Sequence, residues 1–335
     1  MSEESRDNTM MLKRFFYVSL LMFIVPTVTT AHTRWFAHEE LLPYKASEPT
    51  GLYLGAWTII VAATVGIGYW LERRGYLSLR FLQPRAVHSF DRAASAFTMM
   101  AGAFLMIAGT HGFLFSPNLA IDLGIAPLFV YLQFLIGLAF LLGIYARLAA
   151  ILLAALWFIG IPVIGVIPMI EDVWILSTAA FVFIMGNDYF SLVSFRAVAP
   201  LAHTYRSYAL PLLRLGTGAT LFILGFTEKI LHPEFGLNFL RQYDWNFMAL
   251  AGLPYSDYLF TLSAGAVESL FGLIFILGIM TRLNALVVAT IFSIPIFLLG
   301  PIELTGHLPH FAAIILILLF GAGNHFRLVQ SAKRR

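Results

Sequence analysis

The chain has no cysteine. That excludes disulfides, thiolate metal sites and dithiol redox chemistry carried out by this chain itself. Charge is also scarce: Asp, Glu, Lys and Arg make up 12% of 335 residues, about half of the roughly 25% in a soluble domain. There is no Gly-rich phosphate loop ahead of a helix, no Ser/His/Asp order that suggests a triad, and no soluble catalytic segment. What remains is apolar, with 59% hydrophobic residues and a mean hydropathy of +0.83. Too little polar surface is left to cover a water-soluble globule, so the first partner this composition requires is a lipid bilayer. The basic pI, near 9.1, does not imply a nucleic-acid partner, because the basic residues have a topological job.

At the amino terminus, Lys13 and Arg14 precede the apolar run FFYVSLLMFIVPTV, and TTA follows with small residues. This is a secretory signal pattern. Residues 1–31 therefore read as a signal peptide cleaved after Ala31, or as an uncleaved signal anchor. Residues 32–51 then form a periplasmic N-terminal segment.

A transmembrane helix needs about 20 apolar residues. Nine further stretches qualify or nearly so: 52–70, 94–114, 128–145, 148–168, 173–190, 209–231, 258–279, 283–299 and 309–326. Lys and Arg concentrate in cytoplasmic loops. With the mature N terminus outside, the inner segments hold Arg73, Arg74, Arg80, Arg85, Arg92, Arg147, Arg196, Arg206, Arg282, Arg327, Lys333, Arg334 and Arg335. The outer segments hold only Arg34, Lys45 and Arg241. This asymmetry puts the mature N terminus in the periplasm and the C terminus in the cytoplasm, and it accounts for the basic pI. Arg147 and Arg282 read as anchors at inner turns.

The chain also repeats itself. GLAFLLGIYARLAAI (137–151) matches GLIFILGIMTRLNAL (272–286) at nine of fifteen positions. Upstream, GAFLMIAGTHGFLFSP (102–117) aligns with GATLFILGFTEKILHP (218–233), and downstream GNDYF at 186 echoes GNHF at 323. The fold class expected is an all-α integral membrane protein, a helical bundle of two parallel four-helix repeats plus one extra N-terminal transmembrane helix. The extra helix and a basic cytoplasmic loop occupy 52–92, the first unit 93–195 and the second 208–330. Four is an even number, so both units enter from the same side and the repeat is parallel. The recurrent glycines permit close helix approach where lipid gives no hydrophobic drive to associate.

LRLGTGATLFILGFTEKILHP, followed by AVESLFGLIFILGIMTRLNALVVATIF, resembles the DoxX family of small four-helix bacterial membrane proteins. The shared pattern is an Arg-containing first helix with a Gly and a Lys near its outer end, then a second helix with an acidic residue and a closing GL.TRL motif. The second unit carries it over about 120 residues, whereas the first keeps only the hydrophobic and glycine skeleton. The resemblance implies a bacterial inner-membrane protein. The family takes its name from a quinone-linked thiosulfate oxidoreductase, although its members have no single activity.

Comparing the units with each other points to candidate chemistry. Where the second has Arg214, Glu228, Lys229, His232 and Glu268, the first has Thr98, Gly112, Phe113, Ser116 and Gln133. The first unit thus reads as scaffold, and Arg214, Glu228, Lys229 and Glu268 are the candidate reactive groups. At 100° per residue, Arg214, Gly218, Gly225, Glu228 and His232 form one stripe. A charge in mid-span costs about 2.5–3.5 kcal/mol or more. Glu268 is therefore expected to pair with Arg214 or to serve a proton or quinone site.

Histidines are the candidate metal ligands. His307 and His310 lie three apart at a helix start, with His32, His38 and His232 also on the outer side. A free amine at a cleaved His32 resembles the histidine brace of copper enzymes, and imidazole suits Cu(II). The stretch 233–256 reads as an interfacial helix over the bundle.

Copper or a quinone is the cofactor expected. The leading function is an accessory or redox-linked inner-membrane protein with a periplasm-facing site. A small-solute or metal-ion transporter is the alternative, and a structural partner of a periplasmic or membrane enzyme is the third; the sequence alone does not assign an enzyme. The topology has a direct check: reporter fusions at residue 85 and after Arg335 should both report cytoplasm, and a periplasmic signal at either would mean a miscounted helix.

Overall fold

The computed structural model describes residues 50–76, 78–116, 119, 124–194, 196–299 and 303–329. The expected signal segment, His32 and His38 lie outside the described residues. Those residues form thirteen α-helices and no strand beyond an isolated bridge between Ile144 and Val193. The helices are α1 (Thr50–Arg74), α2 (Ser89–Thr110), α3 (Ala126–Leu142), α4 (Ala146–Ile164), α5 (Val166–Glu171), α6 (Trp174–Met185) and α7 (Ala199–Thr204). They continue with α8 (Ala209–Gly225), α9 (Pro233–Tyr243), α10 (Phe247–Leu250), α11 (Asp257–Leu277), α12 (Thr281–Leu299) and α13 (Glu303–Phe320). Each of the nine expected spans overlaps one of these helices. Five are long and apolar enough to cross a membrane: Thr50–Arg74, Ser89–Thr110, Ala146–Ile164, Arg206–Leu231 and Asp257–Leu277. This architecture is that of a multi-pass protein in a lipid bilayer.

Helix α1 makes the bilayer's role plain. Only Gly68 is buried on it, while Leu52, Ile59, Ile67 and Trp70 are exposed. An apolar helix with no wet face is suited to lipid. It is fastened near its ends. Tyr53 bonds Tyr255 and Ser263, and Thr50 bonds Tyr258. At the other end Glu72 accepts from the Met280 amide and from Arg327.

The remaining long helices pair in the same order in each half of the chain. Helix α2 packs on α3 and α4 on α6; α8 packs on α11 and α12 on α13. Across the halves, α6 lies against α8 and α13 against α2. One continuous core runs through both halves and includes Phe97, Phe104, Phe140, Phe181, Leu213, Phe275 and Ile314.

Glycines set the pairing distance. A Cβ built on Gly102 would lie 2.5 Å from the Gly137 carbonyl oxygen, and one on Gly272 would lie 2.4 Å from the Phe222 nitrogen. Backbone touches backbone there, so no side chain fits. The loops after α3 and α11 also match: Gly143 and Gly278 take left-handed φ values of 62° and 66°, and two residues on Tyr145 and Met280 take 48° and 44°.

Arg147 and Arg282, expected as loop anchors, answer the ends of neighbouring helices. Arg147 grips Asp188 with two bonds of 2.8 and 2.6 Å beside the last turn of α6. Arg282 donates to the Leu318 and Leu319 carbonyls at the end of α13. A cation at a helix C-terminus is stabilising. The GNDYF/GNHF echo aligns Gly186 with Gly323, but the structure sets Gly321 against Arg282 as Gly186 sits against Arg147. The second half carries two extra residues before its Asn.

Gly272→Ala should lower stability by about 1–3 kcal/mol, the usual cost of overpacking. Gly66→Ala, where a Cβ meets nothing within 4 Å, should be neutral or gain up to about 1 kcal/mol from helix propensity. Thermal unfolding in detergent of the two variants checks the contrast.

Candidate functional site

Three polar centres interrupt the apolar packing. The first follows Gly225, where α8 passes into a π-helical turn, Phe226–Leu231. Such turns occur often at functional sites. This one carries Glu228, fully buried, and Lys229. The close contact of Gly225 with Gly265 brings α11 alongside, so that a Cβ on Gly265 would meet the Lys229 stem at 2.8 Å. Lys229 Nζ donates to Glu268 Oε2 at 2.5 Å, with the two side chains 18% and 17% exposed. Glu268 is eleven residues into α11, about 16 Å along its axis. The pair therefore lies well inside the span, with a carboxylate and an ammonium held mostly out of contact with water.

The expected pairing of Arg214 with Glu268 is corrected here. Arg214 is wholly buried and donates only to main-chain carbonyls: Nε to Ala322 at 3.1 Å, Nη1 to Phe275 and Ile276, and Nη2 to His325 and Phe326. Phe275 is seven residues beyond Glu268, about 10 Å further along α11. Depth in the bundle decides the partner. Arg214 meets the end of α11, and Lys229, about four turns on, meets its middle.

The single stripe from Arg214 to His232 is also interrupted. The π turn advances fewer degrees per residue than an α-turn, and His232 leaves the helix with φ −125° and ψ 66°. Glu228 is consequently inside, whereas His232 is exposed and bonds Glu234 at 3.0 Å.

The second centre sits where α6 begins. Asp172 accepts from Ser116 Oγ at 2.8 Å and from Trp174 Nε1 at 2.9 Å. The Trp174 ring lies 5.0 Å from the His310 ring, and its amide donates to Thr220 of α8. Asp172, Glu171, Ser116, His307 and His310 are all buried. His307 lies against Phe292 and Phe311. Among the described residues, no group of three or more His, Asp or Glu side chains is arranged to hold a metal ion. Sequence reasoning missed Asp172 and Glu171, because they fall between spans 148–168 and 173–190 and read as a short outer loop. The available signal was two adjacent carboxylates within IPMIEDVWIL. With these residues buried, the first half is more than an apolar scaffold.

The residues that align with the first centre behave differently. Gln133, at the place of Glu268, bonds three main-chain groups: the Leu105 and Phe113 carbonyls and the Phe115 amide. Thr98, at the place of Arg214, donates to the Gly186 carbonyl. The third centre, at the opposite end of the bundle from Lys229, gathers Arg214, Arg327, Arg282 and Glu72.

Comparison with protein-family models, curated proteins and solved structures found no match to this chain.

Lys229→Met and Glu268→Gln should each cost about 3–5 kcal/mol, and the double change much less than their sum. Arg214→Met combined with Glu268→Gln should be additive within about 0.5 kcal/mol, as for separate sites. Unfolding of the three single and two double variants in detergent measures both couplings.

Proposed function

We propose that this chain is an inner-membrane protein of two parallel DoxX-like units, with a redox-linked site at Lys229–Glu268 near its periplasmic side. Support for the two units comes from the shared order of helix pairing, the glycine contacts Gly102–Gly137 and Gly218–Gly272, and the matched turns at Tyr145 and Met280. The site reading rests on one observation above all: a side-chain ion pair, seated at a π-helical turn inside the span, where the aligned residues are Phe113 and Gln133. The reading takes the mature N terminus as periplasmic and the basic end as cytoplasmic.

The ligand that suits this pair is a quinone head group. A ring carbonyl is a hydrogen-bond acceptor, and the Lys229 ammonium is a donor already directed into the site. Glu268 can take or return the proton that accompanies a change of quinone redox state, and its partner lysine holds the carboxylate in place between turnovers. Burial makes both interactions stronger than in water. A second reading, transport of an ion or small solute, is favoured by the buried Asp172–Trp174–His310 group where α6 approaches α8 and α13. Copper at His307 and His310 would require His32 to complete a brace.

The protein purified in mild detergent should yield isoprenoid quinone on solvent extraction, near one per chain. Lys229→Met and Glu268→Gln should each reduce that yield at least about tenfold, the effect of losing roughly 1.4 kcal/mol of binding. A wild-type preparation free of quinone that also fails to bind added quinone would overturn the redox reading. Saturable uptake by vesicles of the same preparation, sensitive to Asp172→Asn and not to Lys229→Met, would support the transport reading instead.

A further inference from the structure

The third polar centre has more cation than its described surroundings answer. Arg214, Arg282 and Arg327 converge on it, with Glu72 the carboxylate bonded there. Glu72 takes one bond of 2.6 Å from Arg327 Nη2 and spends its other oxygen on the Met280 amide at 3.1 Å. Arg214 and Arg282 bond carbonyls and the Gln83 side chain, not a carboxylate. Gly278, with φ at +66°, lets the two charges approach: a Cβ there would sit 2.9 Å from Arg214 Nη1 and 3.2 Å from Arg327 Cγ. Arg327 Nε is buried and has no hydrogen-bond partner among the described residues.

Beside this cluster opens a cavity of about 370 Å³. Its walls are the last residues of α11, Ile276 and Leu277, and the chain from Asn324 to Leu328. Arg327 lies in the wall, and Phe326 and Leu328 stand at it more than half exposed. The lining thus joins one largely buried cation, Arg327, to two exposed apolar side chains at the mouth, Phe326 and Leu328. At the same end of the bundle, Trp70 and Tyr76 lie 6.2 Å apart with Arg74 over the Trp70 ring. Aromatic residues of this kind mark the level of the lipid head groups.

We infer that this cavity binds the phosphate of an anionic phospholipid, with Arg327 as its main ligand and the acyl chain leaving over Phe326 and Leu328. Guanidinium donors match phosphate oxygens in geometry and in charge. Basic pockets between transmembrane helices take lipid head groups by this chemistry. The apolar rim favours a lipid phosphate over a free phosphate ion. The inference does not rest on the redox reading, since it concerns the other end of the bundle.

The test is thermal unfolding of the full chain in detergent doped with phosphatidylglycerol, with phosphatidylcholine, or with inorganic phosphate. Phosphatidylglycerol should raise the midpoint by about 4 °C or more through binding to the folded state. Phosphatidylcholine and inorganic phosphate should leave it in place. Arg327→Gln should abolish the phosphatidylglycerol shift, read as a difference so that any loss of the Glu72 bond cancels. Leu328→Glu sets a carboxylate at the rim without disturbing that bond, should also abolish the shift, and carries the test if Arg327→Gln does not fold. An equal shift from phosphatidylcholine would overturn the proposal as general lipid solvation. A shift from inorganic phosphate alone would make this a free-anion site. A phosphatidylglycerol shift retained by the variants would remove the cavity from consideration.

Discussion

Arg214 is fully buried, and its five N–H groups are all directed at main-chain carbonyls. The last carbonyls of a helix have no partner within it, and in lipid each unanswered group costs several kcal/mol. Arg214 meets that requirement for two chain segments together, the end of α11 and the residues after α13. Arg282 does the same for the last turn of α13, and Arg147 fixes Asp188 beside the last turn of α6. Three arginines therefore tie the basic ends of the helices together. The positions of the other polar groups follow from that closure, because it fixes how far α8 can slide along α11.

The register can be followed residue by residue. Gly218 faces Gly272, and seven residues on Gly225 faces Gly265, seven residues back. The two helices run antiparallel in one unbroken register. Continuing it four residues the other way sets Arg214 opposite Ile276, where its bonds are found. The first half keeps the same offset. Gly102 faces Gly137, and Gly109 lies over Val130 and Phe134. Close approach at glycines gives dispersion contact along whole helix faces, which in lipid must replace the hydrophobic drive.

Much of this was legible in the sequence. Hydropathy located the helices, and the repeat located the glycines that join them. The partner of Glu268 was not read correctly, because helical periodicity reports the face of a residue and not its depth against a neighbour. The glycine register held the missing depth, and it places Arg214 a full 10 Å or so from Glu268. His232 was misplaced because a π turn leaves no mark in a 100° periodicity. Asp172 and Glu171 escaped notice because a four-residue gap between apolar runs reads as an exposed loop, whereas here it is covered by α8 and α13. His32 and the expected amino-terminal leader lie outside the described residues, so the copper reading rests on sequence alone.

The contrast between positions 133 and 268 bears most on function. Gln133 is spent on three main-chain groups, and displacing it would leave all three without that partner. Glu268 is held instead by one side chain, Lys229, whose four-carbon stem can swing without moving the backbone. On the proposed reading a ligand enters this pair by exchanging one contact, whereas entry at Gln133 would break three main-chain bonds. The π turn adds to this difference, since it is the place where α8 has already given up regular α-helical bonding. The two halves pair their helices in the same order, yet at these aligned positions the second carries the Lys229–Glu268 ion pair where the first has Phe113 and Gln133.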